Sequence, residues 1–555
     1  MRILIKKFLS PFEDIVKKRQ RTRLRQIMRG YRVLKQSGRL DQIAIIKQTL
    51  TQCCLSLTRQ HFSSIVMGCG ADSGEIIVRQ YLLIRVGGLN LNCALLLALS
   101  NKQSSVVFPL PKEWRNVLVQ HGFEVAHLRS AVLWQLYICT FLLYGVVKIS
   151  KITFASITSG GNTDPKPKRH VYFADLVQGN LPQEKNGTRS HDVISWYLQW
   201  SGKVKDINIV QHSVARALPI TVGEIAVLPH QGPLHNLTGA RTIISYIFWG
   251  LLASLIATID CLRGRWWHAL LLNQAASAAQ ARALPVDLLA REYLFHNSGS
   301  IYRPLWTYEA ERRGSAITFY FYSTNCADFK RQDGHPPLLY GWKAMTWPSY
   351  LVWDEYQADF VRQAVGENVT ISVVGPIWFH SSSVKMPALP TKTIAVFDIQ
   401  PFRDAFYNTL AISSDYYTPK TANQFLTDIH KVLKEADCSL ALKRKREIMN
   451  LAHPVYRHFV EKLEEQSHFI SIDPGISPSI VIGDCIAVIS MPFTSTALFG
   501  RELGKPSIYY DPHSLLHKND PAAHGIEILQ GQEELRRWLA IVLKKNESVD
   551  GLAHA

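Results

Sequence analysis

Ile480-Val-Ile-Gly-Asp-Cys-Ile-Ala-Val-Ile-Ser-Met-Pro-Phe-Thr-Ser-Thr-Ala-Leu-Phe-Gly-Arg-Glu-Leu-Gly-Lys-Pro-Ser-Ile-Tyr-Tyr-Asp-Pro512 reads as strand, tight turn, helix, stop and strand. Ile486 to Ile489 are apolar and mostly β-branched, as expected of a strand buried on both faces. Pro492 breaks that strand, and Thr494, Ser495 and Thr496 open a short helix. Such a helix start holds an anion, because its amides are unpaired and the helix dipole favours negative charge. Gly504 stops the helix and Lys505-Pro506 leads into a strand over Ser507 to Tyr510. The pattern places a phosphate-sized site at the carboxyl edge of a parallel sheet, where open α/β folds bind their ligands. An ordinary βα crossover with a capped helix reads the same way.

The chain has 555 residues, too many for one core and suited to two α/β domains with additions. Its apolar content of 47% excludes global disorder. A net charge of +18 favours nucleic acid, an anionic membrane or phosphorylated ligands. Much of that charge falls in the first 35 residues, among them Lys6, Lys7, Lys17, Lys18, Arg19, Arg21, Arg23 and Arg25, with Ile3, Leu4, Phe8, Phe12, Ile15, Leu24 and Ile27 interleaved. This basic amphipathic segment fits a membrane surface or a solvated helix packed on the protein. No nucleic-acid recognition motif accompanies the charge. Nine cysteines without Cys-x-x-Cys spacing argue against zinc or a redox motif and fit a reducing cytoplasm. The start lacks a continuous apolar stretch, so no signal peptide is expected.

Two charge-free stretches, Ala131 to Val147 and Ile243 to Ile259, are at the short end of a membrane span. Trp266-Trp267 beside Arg265 has the composition of an interfacial anchor. A mean hydropathy of −0.01 argues against a polytopic protein, and buried or monotopic helices are expected.

Alternating short apolar runs and helical patterns predict βα units and parallel sheets. Expected strands include Ser63 to Met67, Ser105 to Phe108, His170 to Phe173, Asp206 to Gln211, Ala316 to Tyr322, Tyr350 to Trp353 and Thr370 to Val374. A helix is expected over Pro285 to Glu292. Gly68-Cys-Gly70-Ala-Asp-Ser-Gly74 after the first of these is a glycine-rich loop without dinucleotide-binding spacing. The resulting division is a basic segment (1–58), a first Rossmann-like domain (59–378) with apolar helical insertions (131–150 and 243–268), a linker (379–392) and a second Rossmann-like domain (393–555).

Several segments make the chain resemble the GT-B glycosyltransferases of bacterial surface polysaccharides, the O-antigens and capsules. They are Val171-Tyr-Phe-Ala-Asp-Leu-Val, His191 to Trp200, Glu292 to Glu309, Tyr350-Leu-Val-Trp-Asp-Glu-Tyr-Gln, Val373-Val-Gly-Pro-Ile-Trp, Leu442-Lys-Arg-Lys-Arg, His453-Pro454 and Pro492-Phe-Thr-Ser-Thr-Ala. The resemblance covers about residues 170–512. It implies two Rossmann-like domains with a nucleotide sugar held between them, at the cytoplasmic face of the inner membrane, and a lipid-linked glycan as acceptor. A His-Pro pair after a basic strand end, followed by a Ser/Thr phosphate loop, is similar to CMP-sugar-dependent sialyltransferases and Kdo transferases. That likeness implies that His453 and Pro454 contact cytidine monophosphate, that Thr494, Ser495 and Thr496 hold its phosphate, and that Glu502 faces the ribose. Here Ala452-His453-Pro454 stands well after Lys443-Arg444-Lys445-Arg446 instead of in a compact Lys-x-His-Pro, which leaves UDP-, GDP- and CDP-linked donors open.

Lys443 and Arg444 at a strand end suit neutralisation of a leaving phosphate; a solvated basic face is the plain alternative. No Asp-x-Asp metal motif stands in a convincing context, so neither metal nor bound cofactor is expected. An acceptor hydroxyl calls for a base from the first domain. Asp354, Glu309 and His296 are the candidates, with Asp175, Glu355 and Glu75 behind them. Asp354 equally suits a helix N-cap, and His296 a satisfied core histidine. A non-catalytic scaffold of a polysaccharide assembly complex is the rival from another class.

Overall fold

The computed structural model describes residues 22, 25–39, 41–55, 61–87, 89–100, 105–158, 170–182, 192–201, 207–214, 216–230, 232–296, 302–324, 340–377, 385–403, 416–444 and 451–553. Residues 1–21 of the basic start, the connector at 159–169, residues 379–384 of the linker, and Lys445 and Arg446 lie outside them.

The protein is an α/β molecule with two sheets, each a Rossmann-like unit. The first sheet has eight strands: β1 (His170–Phe173), β2 (Ile209–His212), β3 (Ile220–Val222), β4 (Ile225–Pro229), β5 (Glu292–His296), β6 (Ala316–Tyr320), β7 (Ser349–Val352) and β8 (Thr370–Val373). Their order is β3-β4-β2-β1-β5-β6-β7-β8, parallel except for β3. The second sheet is wholly parallel, in the order β11-β10-β9-β12-β13-β14. Its strands are β9 (Thr393–Phe397), β10 (Ser439–Lys443), β11 (Phe469–Ile472), β12 (Ala487–Ser490), β13 (Ser507–Asp511) and β14 (Glu527–Gln530).

Side chains alternate between the two faces of each strand. In the first sheet, Tyr172, Tyr293, Phe319 and Tyr350 enter one core while Phe173, Leu294, Tyr320 and Leu351 enter another. In the second, Ile394, Leu440 and Ile489 share a core separate from that of Ala395, Ala441 and Val488. Burial on both faces is why these strands read as continuous apolar runs.

The region before the first sheet is helical: α1 (Asp41–Leu55), α2 (Ser64–Met67), α3 (Gly74–Gly87), α4 (Leu89–Ser100), α5 (Lys112–Gln120) and α6 (His127–Thr158). The sheet of the first domain therefore starts at His170, far beyond residue 59. The expected strand at Ser63 to Met67 is the one-turn helix α2, continued by a 3-10 turn at Gly68–Gly70. A short apolar run cannot by itself distinguish strand from buried helix, which is how the period misled. At Ser105 to Phe108 only an isolated bridge, Val106 to Val125, forms. The expected helix at Pro285 to Glu292 is a 3-10 turn, Val286–Leu288, and Glu292 opens β5.

Helices α7 (Val193–Ser201), α8 (Ala240–Leu262), α9 (Trp267–Ala283), α10 (Trp306–Arg312), α11 (Tyr340–Lys343) and α12 (Glu355–Val365) flank the first sheet. The apolar stretches expected as helical insertions are the cores of α6 and α8. Helices α13 (Pro419–Glu435), α14 (Pro454–Glu464), α15 (Pro478–Gly483), α16 (Ser495–Glu502) and α17 (Gly531–Ala553) belong to the second sheet. Thr418 caps α13 by accepting the Thr421 N–H at 3.1 Å, ahead of Pro419 at the first helical position.

Candidate functional site

Both sheets are doubly wound, and each has a point where the chain leaves its first strand in one direction and later returns on the other side. In the first sheet that point lies between β1 and β5, and in the second between β9 and β12. Crevices at the carboxyl ends of such strand pairs are where open α/β sheets bind ligands.

At the β12 end, Met491 N–H donates to the Phe397 carbonyl at 2.7 Å and ties the turn to β9. Phe493 takes a left-handed φ of 63°, an uncommon and strained conformation for an aromatic residue. Tyr417 O–H donates to the Pro492 carbonyl at 3.1 Å and Tyr509 O–H to the Thr494 carbonyl at 2.7 Å, so two tyrosines hold the turn. Thr494 is the N-cap of α16, and its side chain leaves the helix amides uncapped. Its hydroxyl donates instead to the Met491 carbonyl at 2.9 Å. The hydroxyls of Ser490 and Thr496 meet at 2.9 Å, and those of Thr494 and Thr496 at 3.1 Å. Half-buried Thr494, Ser495 and Thr496 thus surround amides that no side chain caps. Gly500 lets α16 sit directly on the sheet: a Cβ there would collide with Ser507 Oγ and lie 2.7 Å from Val488 Cγ2.

Helix α14 starts at the same sheet edge, on the other side of β9. His453 is its N-cap, accepting the Val455 N–H on Nδ1 at 3.3 Å, and Pro454 is its first residue. The His453 N–H donates to the Pro401 carbonyl at 2.8 Å, which fixes the His-Pro pair to the loop after β9. Two helix N-termini therefore flank one strand end, and both favour negative charge. Lys443 ends β10 and is buried. Arg444 turns toward Glu464 at 3.8 Å and Ser471 Oγ at 3.5 Å.

Sequence reasoning missed Asp398, which follows β9 at this switch point. Its carboxylate is buried and accepts from the Tyr456 hydroxyl, while Oδ1 has no hydrogen-bond partner. Burial pushes its pKa up to about 6, against the opposing pull of Tyr456 and Arg444. The only signal in the sequence was an acid directly after an apolar strand.

At the first switch point, His296 ends β5 and its Nε2 lies 3.1 Å from the Asp175 carbonyl. A carbonyl accepts, so Nε2 carries the proton and Nδ1 is the basic nitrogen of the neutral ring. Burial lowers the His296 pKa, with the Asp175 carbonyl and charge pulling the other way. Asp175 itself is exposed after β1, with φ 58°.

The structure does not bring the other carboxylates to these points. Glu309, on α10, is fully buried beneath the 3-10 turn. It accepts the Cys69 N–H at 2.8 Å and lies 3.6 Å from Arg282 and 3.3 Å from Arg312. Gly68, at φ 60°, lies so close that any Cβ would strike Glu309 Oε1. That carboxylate clamps the helical region to the first domain and leaves no room for an acceptor. Asp354 caps α12 through the Gln357 N–H at 3.0 Å. It also meets His524 Nδ1 at 2.8 Å and Arg501 at 3.9 Å, both from the second domain. Asp354 is thus an interdomain clasp, with its oxygens already engaged. Glu502 stands at the opposite end of α16 from Ser495, beside Arg501 at 3.7 Å, because an eight-residue helix carries it away from the turn. Glu75 pairs with Arg79 at 2.9 Å on α3.

The family model for polysaccharide biosynthesis PFTS motif proteins matches residues 249–539, more than half of the chain. The chain belongs to that family. Its four-residue signature stands here as Pro492-Phe493-Thr494-Ser495, the strained turn that opens α16. No curated protein matches the chain. Among solved structures, the UDP-GlcNAc 2-epimerase from Methanocaldococcus jannaschii is similar at 9% identity, covering 67% of this chain and 92% of that one, with TM-score 0.35. The glycotransferase of kitacinnamycin is similar at 12% identity, covering 70% and 94%, with TM-score 0.34. The wall teichoic acid polymerase TagF is similar at 10% identity, covering 75% and 92%, with TM-score 0.35. At such values these likenesses carry no argument about chemistry. For this PFTS motif protein the established ground is the family's place in polysaccharide biosynthesis.

Proposed function

We propose that this PFTS motif protein is a nucleotide-sugar-dependent glycosyltransferase acting on a lipid-linked glycan at the cytoplasmic face of the inner membrane. The observation that carries the reading is the uncapped start of α16, ringed by Thr494, Ser495 and Thr496 at the switch point of the second sheet. The helix-start amides and the Ser495 hydroxyl suit one phosphate, with the mutual bonds of Ser490, Thr494 and Thr496 shaping the turn around it, and the His453-Pro454 start of α14 faces the same edge. The donor in this reading is a CMP-linked sugar of the Kdo or sialic-acid type.

Departure of the nucleotide places negative charge on phosphate oxygens. Fixed helix-start amides stabilise that charge without reorganising, Lys443 at the end of β10 adds positive charge at the same sheet edge, Arg444 has to leave Glu464 to join it, and the mechanism as we read it uses no metal ion. His296 stands as the base for the acceptor hydroxyl, with Asp175 beside it. Glu309 and Asp354 serve as structural residues.

The test is binding of CMP, UMP, UDP and GDP to the purified protein, read by thermal shift and calorimetry. CMP is expected to bind best. Ser495→Ala with Thr496→Ala is expected to weaken CMP about 5- to 100-fold, as for loss of one or two hydrogen bonds to a charged group. His453→Ala is expected to abolish the preference for CMP over UMP. Preferential binding of UDP or GDP would replace the donor and keep the site. Failure of every nucleotide to bind would move the protein to the scaffold class.

A further inference from the structure

Helices α6 and α8, of 32 and 23 residues, are each long and apolar enough to cross a membrane by length and composition, with 18-residue stretches of mean hydropathy 1.7 and 1.9. Their contacts argue for a different placement. Helix α6 packs on α9, and α8 on α6, through small residues. A Cβ on Gly145 of α6 would lie 2.6 Å from Leu272 Cβ of α9, and one on Gly250 of α8 would lie 2.6 Å from Ile149 Cγ2 of α6. Helix α9 is buried along nearly its whole length, and Arg313 NH1 bonds the Ala281 and Arg282 carbonyls at its end. The inner faces of α6 and α8 are thus closed by soluble protein. Their outer faces are open: Leu136, Leu143, Val147, Phe248, Leu251 and Leu255 are all exposed.

Ile149 against Gly250 also fixes the register between the two helices. Lys148 and Lys151 of α6 therefore stand level with the middle of the charge-free stretch of α8, Thr242 to Ile259. Both helices cannot centre their charge-free stretches in one bilayer. A lysine at the centre of the hydrocarbon costs about 2.5–3.5 kcal/mol or more. A helix lying in the interface carries no such penalty, because the ammonium reaches the headgroups while its stem stays on the apolar surface. Arg129, Lys148 and Lys151 on α6, with Arg241, Arg263 and Arg265 at the two ends of α8, supply the cations for such a seat. Helix α6 contains no acid, and the one acid of α8, Asp260, is engaged by His268 Nδ1 at 2.6 Å.

We infer that the outer face of the α6–α8 pair lies flat in one leaflet of an anionic phospholipid bilayer, as a monotopic seat and without crossing it. The inference rests on the membrane placement in the proposed function and names the surface that provides it. Nucleotide binding is independent of it, so CMP binding without vesicle binding would overturn this inference alone.

The experiment is flotation of the full-length protein with phosphatidylcholine vesicles, with and without about a third phosphatidylglycerol. Wild type is expected to float with the anionic vesicles and to leave the segment between α6 and α8 open to added protease. The triple variant Phe248→Asp, Leu251→Asp and Leu255→Asp is expected to lose vesicle binding about tenfold or more. Because those side chains are exposed, its melting temperature and CMP binding are expected to stay at wild-type values. Three results would each overturn the proposal. Unchanged binding of the triple variant would place the seat elsewhere. Protection of the segment between α6 and α8 from added protease by intact vesicles, lifted by detergent, would mean a span. Self-association that buries this face with no vesicle binding would mean that a second copy covers it.

Discussion

The switch point of the second sheet is served by one contiguous run, Met491 to Ala497, whose backbone shapes the site. In the first sheet the residues proposed to serve it are Asp175 and His296, which are 121 positions apart and meet through a carbonyl and a ring nitrogen. An anion site built from amides has to be local, because consecutive N–H groups point the same way only at a helix start. A general base needs no such contiguity, only one nitrogen in the right place. Sites of the first kind are therefore spelled in a sequence, and sites of the second kind are assembled by the sheet.

The comparison breaks first on His296→Ala. If His296 is the acceptor's base, sugar transfer falls about 10²- to 10⁴-fold while CMP affinity stays unchanged. Equal loss of transfer and nucleotide binding would show that the two switch points are not separate in function. Glu309→Ala sharpens it next. Removing a fully buried carboxylate leaves the Cys69 amide without its partner, while Arg282 and Arg312 stay partly solvated, and a loss of about 1–3 kcal/mol is expected. Chemical denaturation followed separately by first-domain and second-domain probes checks it. The loss belongs to the first domain, and an equal loss in both would mean that the clamp holds the whole molecule.

The smallest effect concerns pH, where the two domains have opposite signs. His212, buried at the end of β2, accepts the Val214 N–H on Nδ1 at 3.2 Å and leaves Nε2 without a partner. Burial lowers its pKa from 6.5 to about 4. The unfolded chain takes up that proton first, so the contribution is whole above pH 6.5 and is lost as pH falls toward 4. Asp398 runs the other way: raised from 3.8 to about 6, its contribution is whole below pH 3.8 and is lost as pH rises through 6. Each slope is at most about 1.4 kcal/mol per pH unit, and in wild type they oppose each other. His212→Gln is expected to improve stability toward pH 4, and Asp398→Asn to improve it toward pH 6.5. Urea midpoints across that window check both signs.

The α/β class, most strands and the Thr494–Ser495–Thr496 turn were legible because doubly buried strands and helix starts have short, strong signatures. The strand at Glu292 to His296 was not, since its ends are polar: Glu292 is buried but bonded to Tyr197 and Thr318. The expectation of a strand at Ser63 to Met67, which is a helix, rests on the glycine after that apolar run, a pattern that suggests a loop after a strand. In fact Gly68 is there to admit the carboxylate of Glu309, a residue some 240 positions away. Asp354 was correctly placed at a strand–helix junction, but its partner His524 lies 170 positions off and no local pattern announces it.

That clasp bears on how the molecule can move. Arg501 donates to the His524 carbonyl at 2.7 Å and stands near Asp354, while Phe499 rests against Trp353 with ring centroids 5.3 Å apart. Ser495, at the phosphate end, and Arg501, at the clasp, belong to one stiff rod of eight residues, about 12 Å long. Swinging the domains apart must either snap the clasp or drag the rod with the first domain and spoil the turn behind it. Clasp and turn are two ends of a single lever, so on the proposed reading the molecule cannot open wide while keeping hold of a phosphate.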